Sequence, residues 1–211
     1  MYSLHPLIFF YVKSMPLIPL IDTHCHLEMN EFDPDRPEVL HRAADEGIVA
    51  MITVGSDLDN SRKAMQLAAD HAPVYASIGV HPHAAETFSA EASAKLLEWS
   101  AHPKVVAIGE TGLDYHYNRS PKEVQARVFR EHLEIAKSSG LPAIIHSREA
   151  AEDTMQILRE SGLSHGVLHC FSGDRKMASD AISNGLLISI AGPVTFKKSA
   201  ALKEMARLIP D

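Results

Sequence analysis

The stretch "IDTHCHLEM", Ile21 to Met29, carries two histidines separated by one residue, a spacing that offers imidazole nitrogens to a common partner. Side chains alternate along a strand, so His24 and His26 project the same way, about 7 Å apart, with Thr23 and Cys25 turned toward the opposite face. Among 13 histidines the pair alone does not separate metal ligands from ordinary residues. Further groups of the same kind follow: His81 and His83 in "GVHPH", Glu110 and Asp114 in "AIGETGLDYH", His146 and Arg148 in "IIHSRE", and His169 in "VLHCFSG". Imidazole and carboxylate ligands suit Zn, Mn, Fe, Co or Mg to different degrees, and spacing does not choose among them. A carboxylate such as Glu110 can bridge two ions; His24 and His26 would then serve one and His146 and His169 the other. Two ions roughly 3.5–4 Å apart activate water and stabilise the attacking and leaving oxygens at phosphorus. Asp22, one step deeper, either accepts a hydrogen bond from a ligating imidazole or is a buried structural aspartate.

These residues need elements that bring them to one place. Short apolar runs predict strands at Leu17–Asp22, Ile48–Val54, Val74–Val80, Lys104–Gly109, Pro142–Ile145, Gly166–Leu168 and Leu186–Ile190. Most are continuous rather than alternating, as in parallel strands buried on both faces. Helical patterns lie between them at Pro37–Glu46, Leu58–His71, Ala90–Ala101, Lys122–Ser139, Glu149–Ser161, Lys176–Asn184 and Ser199–Leu208. Gly47 and Gly140 stand where a left-handed cap favours glycine. The rhythm predicts a parallel α/β fold of the TIM (β/α)₈ type with about seven units, a doubly wound sheet being the competing architecture. In such folds the chemistry sits at the C-terminal strand ends, and the histidines and carboxylates above fall at five of the first six.

Composition sets the class. The 211 residues are 45% hydrophobic and 22% charged, which suits one soluble domain. Residues 1–16 read as a non-core extension and 17–211 as the barrel domain. The apolar run in "MYSLHPLIFFYVKSMPL" lacks a preceding positive charge and is far shorter than the ~20 residues of a membrane span. A net charge of −7 without a Lys/Arg block gives no broad attraction to nucleic acid, leaving only a local basic site. Two distant cysteines, Cys25 and Cys170, fit a reducing cytoplasmic setting. No membrane association and no obligate protein partner are expected.

"IDTHCHL", "SIGVHPH", "VAIGETGLDYH", "AIIHSREA" and "VLHCFSG", in this order, resemble the TatD-type metal-dependent deoxyribonucleases of the amidohydrolase superfamily, over about Leu17 to Pro210. The resemblance implies a TIM-barrel hydrolase with two divalent ions, cleaving phosphodiester bonds of DNA, single-stranded or at 3′ ends, from 3′ to 5′. It implies that His24 and His26 hold one metal, that Glu110 bridges and is catalytic, and that His146 and His169 hold the second. It also implies that His81 and His83 contact substrate phosphate, where the plain reading is a turn fixed by Pro82. Arg148 is a candidate for bidentate phosphate binding, against a solvated residue at a helix start. Asp114 and Tyr115 are expected to shape the loop over the site.

The family pattern continues into an eighth strand with an "ETDAP"-like motif, which these residues do not contain; Asp211 lies too early to replace it. The expectation is therefore a C-terminally truncated barrel, open between its first and seventh strands, with weakened metal binding at His24/His26. Two rival functions remain: hydrolysis of amide, lactone or aminoacyl-ester bonds at the same metals, and a non-catalytic metal-binding role.

Overall fold

A computed structural model describes residues 18–210. The expected extension and Leu17 lie outside them. Seven parallel strands form one sheet in the order β1 to β7. They are β1 (Leu20–Cys25), β2 (Ile48–Val54), β3 (Val74–Ile78), β4 (Val105–Asp114), β5 (Ala143–Arg148), β6 (Gly166–Leu168) and β7 (Leu187–Ile188). Each is followed by a helix: α1 (Arg36–Asp45), α2 (Leu58–Asp70), α3 (Ala90–Trp99), α4 (Lys122–Ser139), α5 (Ala151–Ser161), α6 (Arg175–Ser183) and α7 (Ala200–Ala206). The sheet curls into a TIM-type barrel wall. Among the described residues β1 and β7 are its two edges, with Ile21 61% and Leu187 72% exposed. No helix among these residues is long and apolar enough to cross a membrane.

The continuous apolar runs are used on both faces. Val54, Ala107 and Ile144 pack inside the curl with Ile52 and Val167. Their neighbours Met51, Ile108, Ile145 and Leu168 face outward onto Phe129, Leu133 and Leu158 of the helical layer. Burying a side chain such as Phe129 contributes about 1.5–3 kcal/mol. Helix ends are set locally. Asp57, Ser89 and Asp174 accept the N–H groups of Asn60, Ala92 and Met177. Gly140 and Gly162 close α4 and α5 in the left-handed conformation.

Several element ends differ from the sequence expectation. β4 runs on to Asp114 and β5 to Arg148, so Glu110 and His146 lie within strands rather than just past them. β3 stops at Ile78, because the Val80 N–H leaves the sheet and donates to His132 Nε2 on α4 at 3.0 Å. β7 keeps two residues instead of five. In β1 the register slips: Asp22 pairs with Met51 but Cys25 with Thr53. This bulge breaks the simple alternation expected there. Cys25 faces outward, its Sγ donating to the Ile52 carbonyl at 3.3 Å, but Thr23 turns inward beside Ile52, Ile144 and Val167.

Candidate metal centre

Glu110 is 5% exposed on β4 and sits among histidines from three other elements. His146 Nδ1 of β5 lies 2.9 Å from Oε1, and His81 Nε2, just after β3, lies 3.8 Å from the same oxygen. His24 Nε2 of β1 approaches Oε2 at 3.5 Å. His169, following β6, stacks on His24 with ring centroids 3.4 Å apart and planes within 9°. Among the described residues, donor atoms lie within 4.8 Å of one another inside each of two sets, His24–Glu110–His169 and His81–Glu110–His146. Glu110 belongs to both.

This grouping differs from the one expected from sequence. His146 gathers with His81 rather than with His169, because both rings reach the same carboxylate oxygen, Glu110 Oε1. His169 meets His24 across the curl. His26 stands beside His24, ring edge to face at 5.1 Å, and lines the same cleft of about 500 Å³ together with Arg148. It is not in either donor set. Its Nδ1 donates to the Val54 carbonyl at 2.9 Å and lies 3.4 Å from Glu28 Oε1, which leaves Nε2 toward the cleft. Asp22 does not touch an imidazole through its carboxylate. It accepts the backbone N–H of His24 at 3.0 Å, so it fixes the bulge instead.

The donor set fits a divalent cation. His24 Nδ1 is buried without a hydrogen-bond partner, a costly arrangement for a polar nitrogen unless a ligand completes it. A buried carboxylate ringed by imidazoles supplies the hard and borderline donors that Zn, Mn or Mg accept.

Protonation follows the same geometry. Burial works to raise the Glu110 pKa, but hydrogen bonds with His146 and His24 outweigh it and hold the carboxyl well below its usual range. Burial pushes His81 and His169 down to about 4, His24 adding to the effect on His169. Both are therefore neutral near pH 7, the form that ligates metal. His146 is raised, since contacts with Glu110 and Asp114 outweigh its burial. His26 is raised chiefly by its hydrogen bond with Glu28.

A second layer lies behind the histidines. Asp114 is 1% exposed, and its Oδ2 accepts from His83 Nε2 at 2.9 Å and His146 Nε2 at 3.1 Å. His83 thus bonds Asp114 beside His81 and His146 and belongs to neither donor set. Gln125 of α4, fully buried, accepts the Asp114 N–H and donates to the carbonyls of Asp114 and Ser120. Glu28 is buried against Thr53, whose hydroxyl donates to Oε2 at 2.5 Å. The sequence reading did not single out Glu28, Thr53, Gln125 or His132. A polar residue on the apolar stripe of α4 is the signal that marks Gln125 and His132.

The model of the family described as TatD related DNase matches residues 21–211. An uncharacterized metal-dependent hydrolase of Bacillus subtilis is 42% identical over 194 residues, covering 91% of this chain and 76% of its own length. A 3′-5′ ssDNA/RNA exonuclease of Musicola paradisiaca is 38% identical over 197 residues, 91% of this chain and 74% of its own. The crystal structure of a TatD homologue from Escherichia coli superposes with a TM-score of 0.85 at 32% identity, covering 90% of this chain and 74% of that one.

Proposed function

The chain belongs to the TatD-related DNase family, and from that premise we propose that it is a metal-dependent hydrolase cleaving phosphodiester bonds of single-stranded nucleic acid from the 3′ end. The observation that carries this reading is Glu110, a buried carboxylate shared by two histidine sets at the strand ends of a barrel. The relative from Musicola paradisiaca, named as an exonuclease on single-stranded DNA and RNA, supports the substrate class. Two free thiols, Cys25 and Cys170, support a cytoplasmic location.

His24 and His169 would hold one divalent ion and His81 and His146 a second, with Glu110 between them and His26 completing the first side through Nε2. When bound, such ions supply Lewis-acid activation of water and offset charge developing on phosphate oxygens. The chain's own groups prepare this. Glu110 stays ionised over the working pH range because its histidine contacts outweigh burial. Neutral His81 and His169 keep lone pairs available. Asp114 fixes the ring orientation of His146, and Val54 that of His26. Arg148, on the wall of the cleft, is positioned to pair with a substrate phosphate.

The test is digestion of a 5′-labelled single-stranded oligonucleotide with Mg²⁺, Mn²⁺ or Zn²⁺, read as a product ladder. Shortening from the 3′ end that EDTA stops, and that Glu110→Gln abolishes, is the expected result. Turnover that persists in EDTA, or in the Glu110→Gln protein, would overturn the assignment. Cleavage of aminoacyl esters with no cleavage of oligonucleotide would move the enzyme to another substrate class.

A further inference from the structure

At the mouth of the cleft an aromatic ring stands open to solvent with cations over it. Tyr117 is 51% exposed, and since single exposed aromatics are common, what distinguishes this one is what surrounds it. The Arg148 guanidinium lies over its ring at 4.7 Å and that of Arg119 at 5.6 Å. His83 meets the ring edge-on at 5.5 Å, and His116 does so at 4.7 Å. Its backbone is tethered as well. The Tyr117 N–H donates to Asp114 Oδ1 at 2.8 Å, and the Tyr115 N–H to the Arg148 carbonyl at 2.9 Å. Asp114 is the carboxylate that also holds His146, so the loop and the metal-facing histidine share one anchor.

We infer that Tyr117, with Arg148 and Arg119, is a stacking platform for an unpaired nucleobase of the strand whose phosphate enters the cleft. The inference rests on the phosphodiesterase reading above and adds to it the feature that selects single strands. Every base has a π-face, but in a duplex that face is covered by its neighbours, so an isolated exposed ring favours an unstacked nucleotide. A ring pre-positioned on a tethered loop loses little freedom when a base lands on it. The two guanidiniums add planar cations that stack and attract phosphate. In a chain of net charge −7, that attraction has to be local.

The experiment compares equilibrium binding of two fluorescein-labelled ten-unit strands, oligothymidine and an abasic strand of the same length. Both carry phosphorothioate linkages to slow cleavage, and the full chain is used with Mg²⁺. Wild type is expected to prefer the thymidine strand. Tyr117→Ala should weaken that strand about ten-fold, the loss of one stacked base, and the abasic strand by less than about two-fold. Tyr117→Trp should retain the preference. Equal weakening of both strands would mean that the ring only holds Arg148, and would overturn the platform. So would an unchanged thymidine affinity in Tyr117→Ala, or a wild type that does not distinguish the strands. Cleavage of all-oxygen oligothymidine by wild type is scored separately. Base-dependent binding without cleavage sinks the hydrolase reading and keeps the platform, whereas cleavage without base-dependent binding does the reverse.

Discussion

His132 is fully buried on α4, where Nδ1 donates to the Val128 carbonyl at 2.8 Å and Nε2 accepts the Val80 N–H at 3.0 Å. Both bonds suit the neutral ring, and burial lowers its pKa from 6.5 to about 4. The unfolded chain therefore binds more protons than the folded one between those values. The contribution to stability is complete above pH 6.5 and is lost as pH falls toward 4. The full span corresponds to about 3 kcal/mol, of which about 2 kcal/mol is lost between pH 7.5 and pH 5. Urea unfolding at both pH values, in EDTA, for wild type and His132→Leu isolates this contribution. His169 titrates in the same window in both proteins and cancels, and making both measurements in a His81→Asn background removes His81, which neighbours Val80. At pH 7.5 the variant should be less stable by about 1–3 kcal/mol, because the Val80 N–H is left buried without an acceptor. At pH 5 the gap should close by about 2 kcal/mol, since leucine has no proton to take up. A gap of the same size at both pH values would refute the reasoning.

Three further outcomes follow from the site. Adding Mn²⁺ or Zn²⁺ at 100 times its Kd should stabilise wild type by about 2.7 kcal/mol and raise Tm by about 5–10 °C. Glu110→Gln should remove most of that rise, and a full rise in the variant would count against Glu110 as the shared ligand. Asp114→Asn should lower metal affinity by about 10–100-fold, as expected when a group orienting a ligating imidazole is lost. Calorimetric titration measures it, and an unaltered Kd would show that His146 is held by other means. Gly112 has φ +136° and pairs with His146 in the β4–β5 ladder, where an added Cβ would run into the His146 carbonyl oxygen. Gly112→Ala should cost about 1–3 kcal/mol in chemical denaturation and displace His146, so undiminished stability would refute the close approach.

The residues at the strand ends were legible because two simple patterns coincide there. Continuous apolar runs mark buried parallel strands, and histidine or glutamate at their C-terminal ends is hard to explain as packing. What stayed hidden depends on distances across the sheet. Sequence spacing joined His24 to His26 and His146 to His169, whereas the curl brings His169 onto His24, and Glu110 Oε1 on the strand between them brings His81 and His146 together. The bulge after Asp22 was equally invisible, since it arises from how β1 meets β2 and not from β1 itself. Glu28 reads as a surface residue until Thr53, 25 positions later, closes over it.

Helix α4 shows why the second layer matters to the first. Gln125 and His132 are seven positions apart, two helical turns, and so lie on the same buried stripe as Val128 and Phe129. Gln125 gives its polar atoms to backbone outside the helix, and His132 gives Nε2 to it while Nδ1 bonds Val128 within α4. Gln125 holds the end of β4 at Asp114, and His132 holds the chain just beyond β3 at Val80. The two strand ends they fix carry Asp114, which orients His146 and tethers Tyr117, and the loop that carries His81. An apolar residue at either position would pack as well, yet would leave buried backbone groups without partners. The polar residues on this stripe therefore act through what they position. Geometry at the histidines around Glu110 is set in part from a helix that lies outside both donor sets.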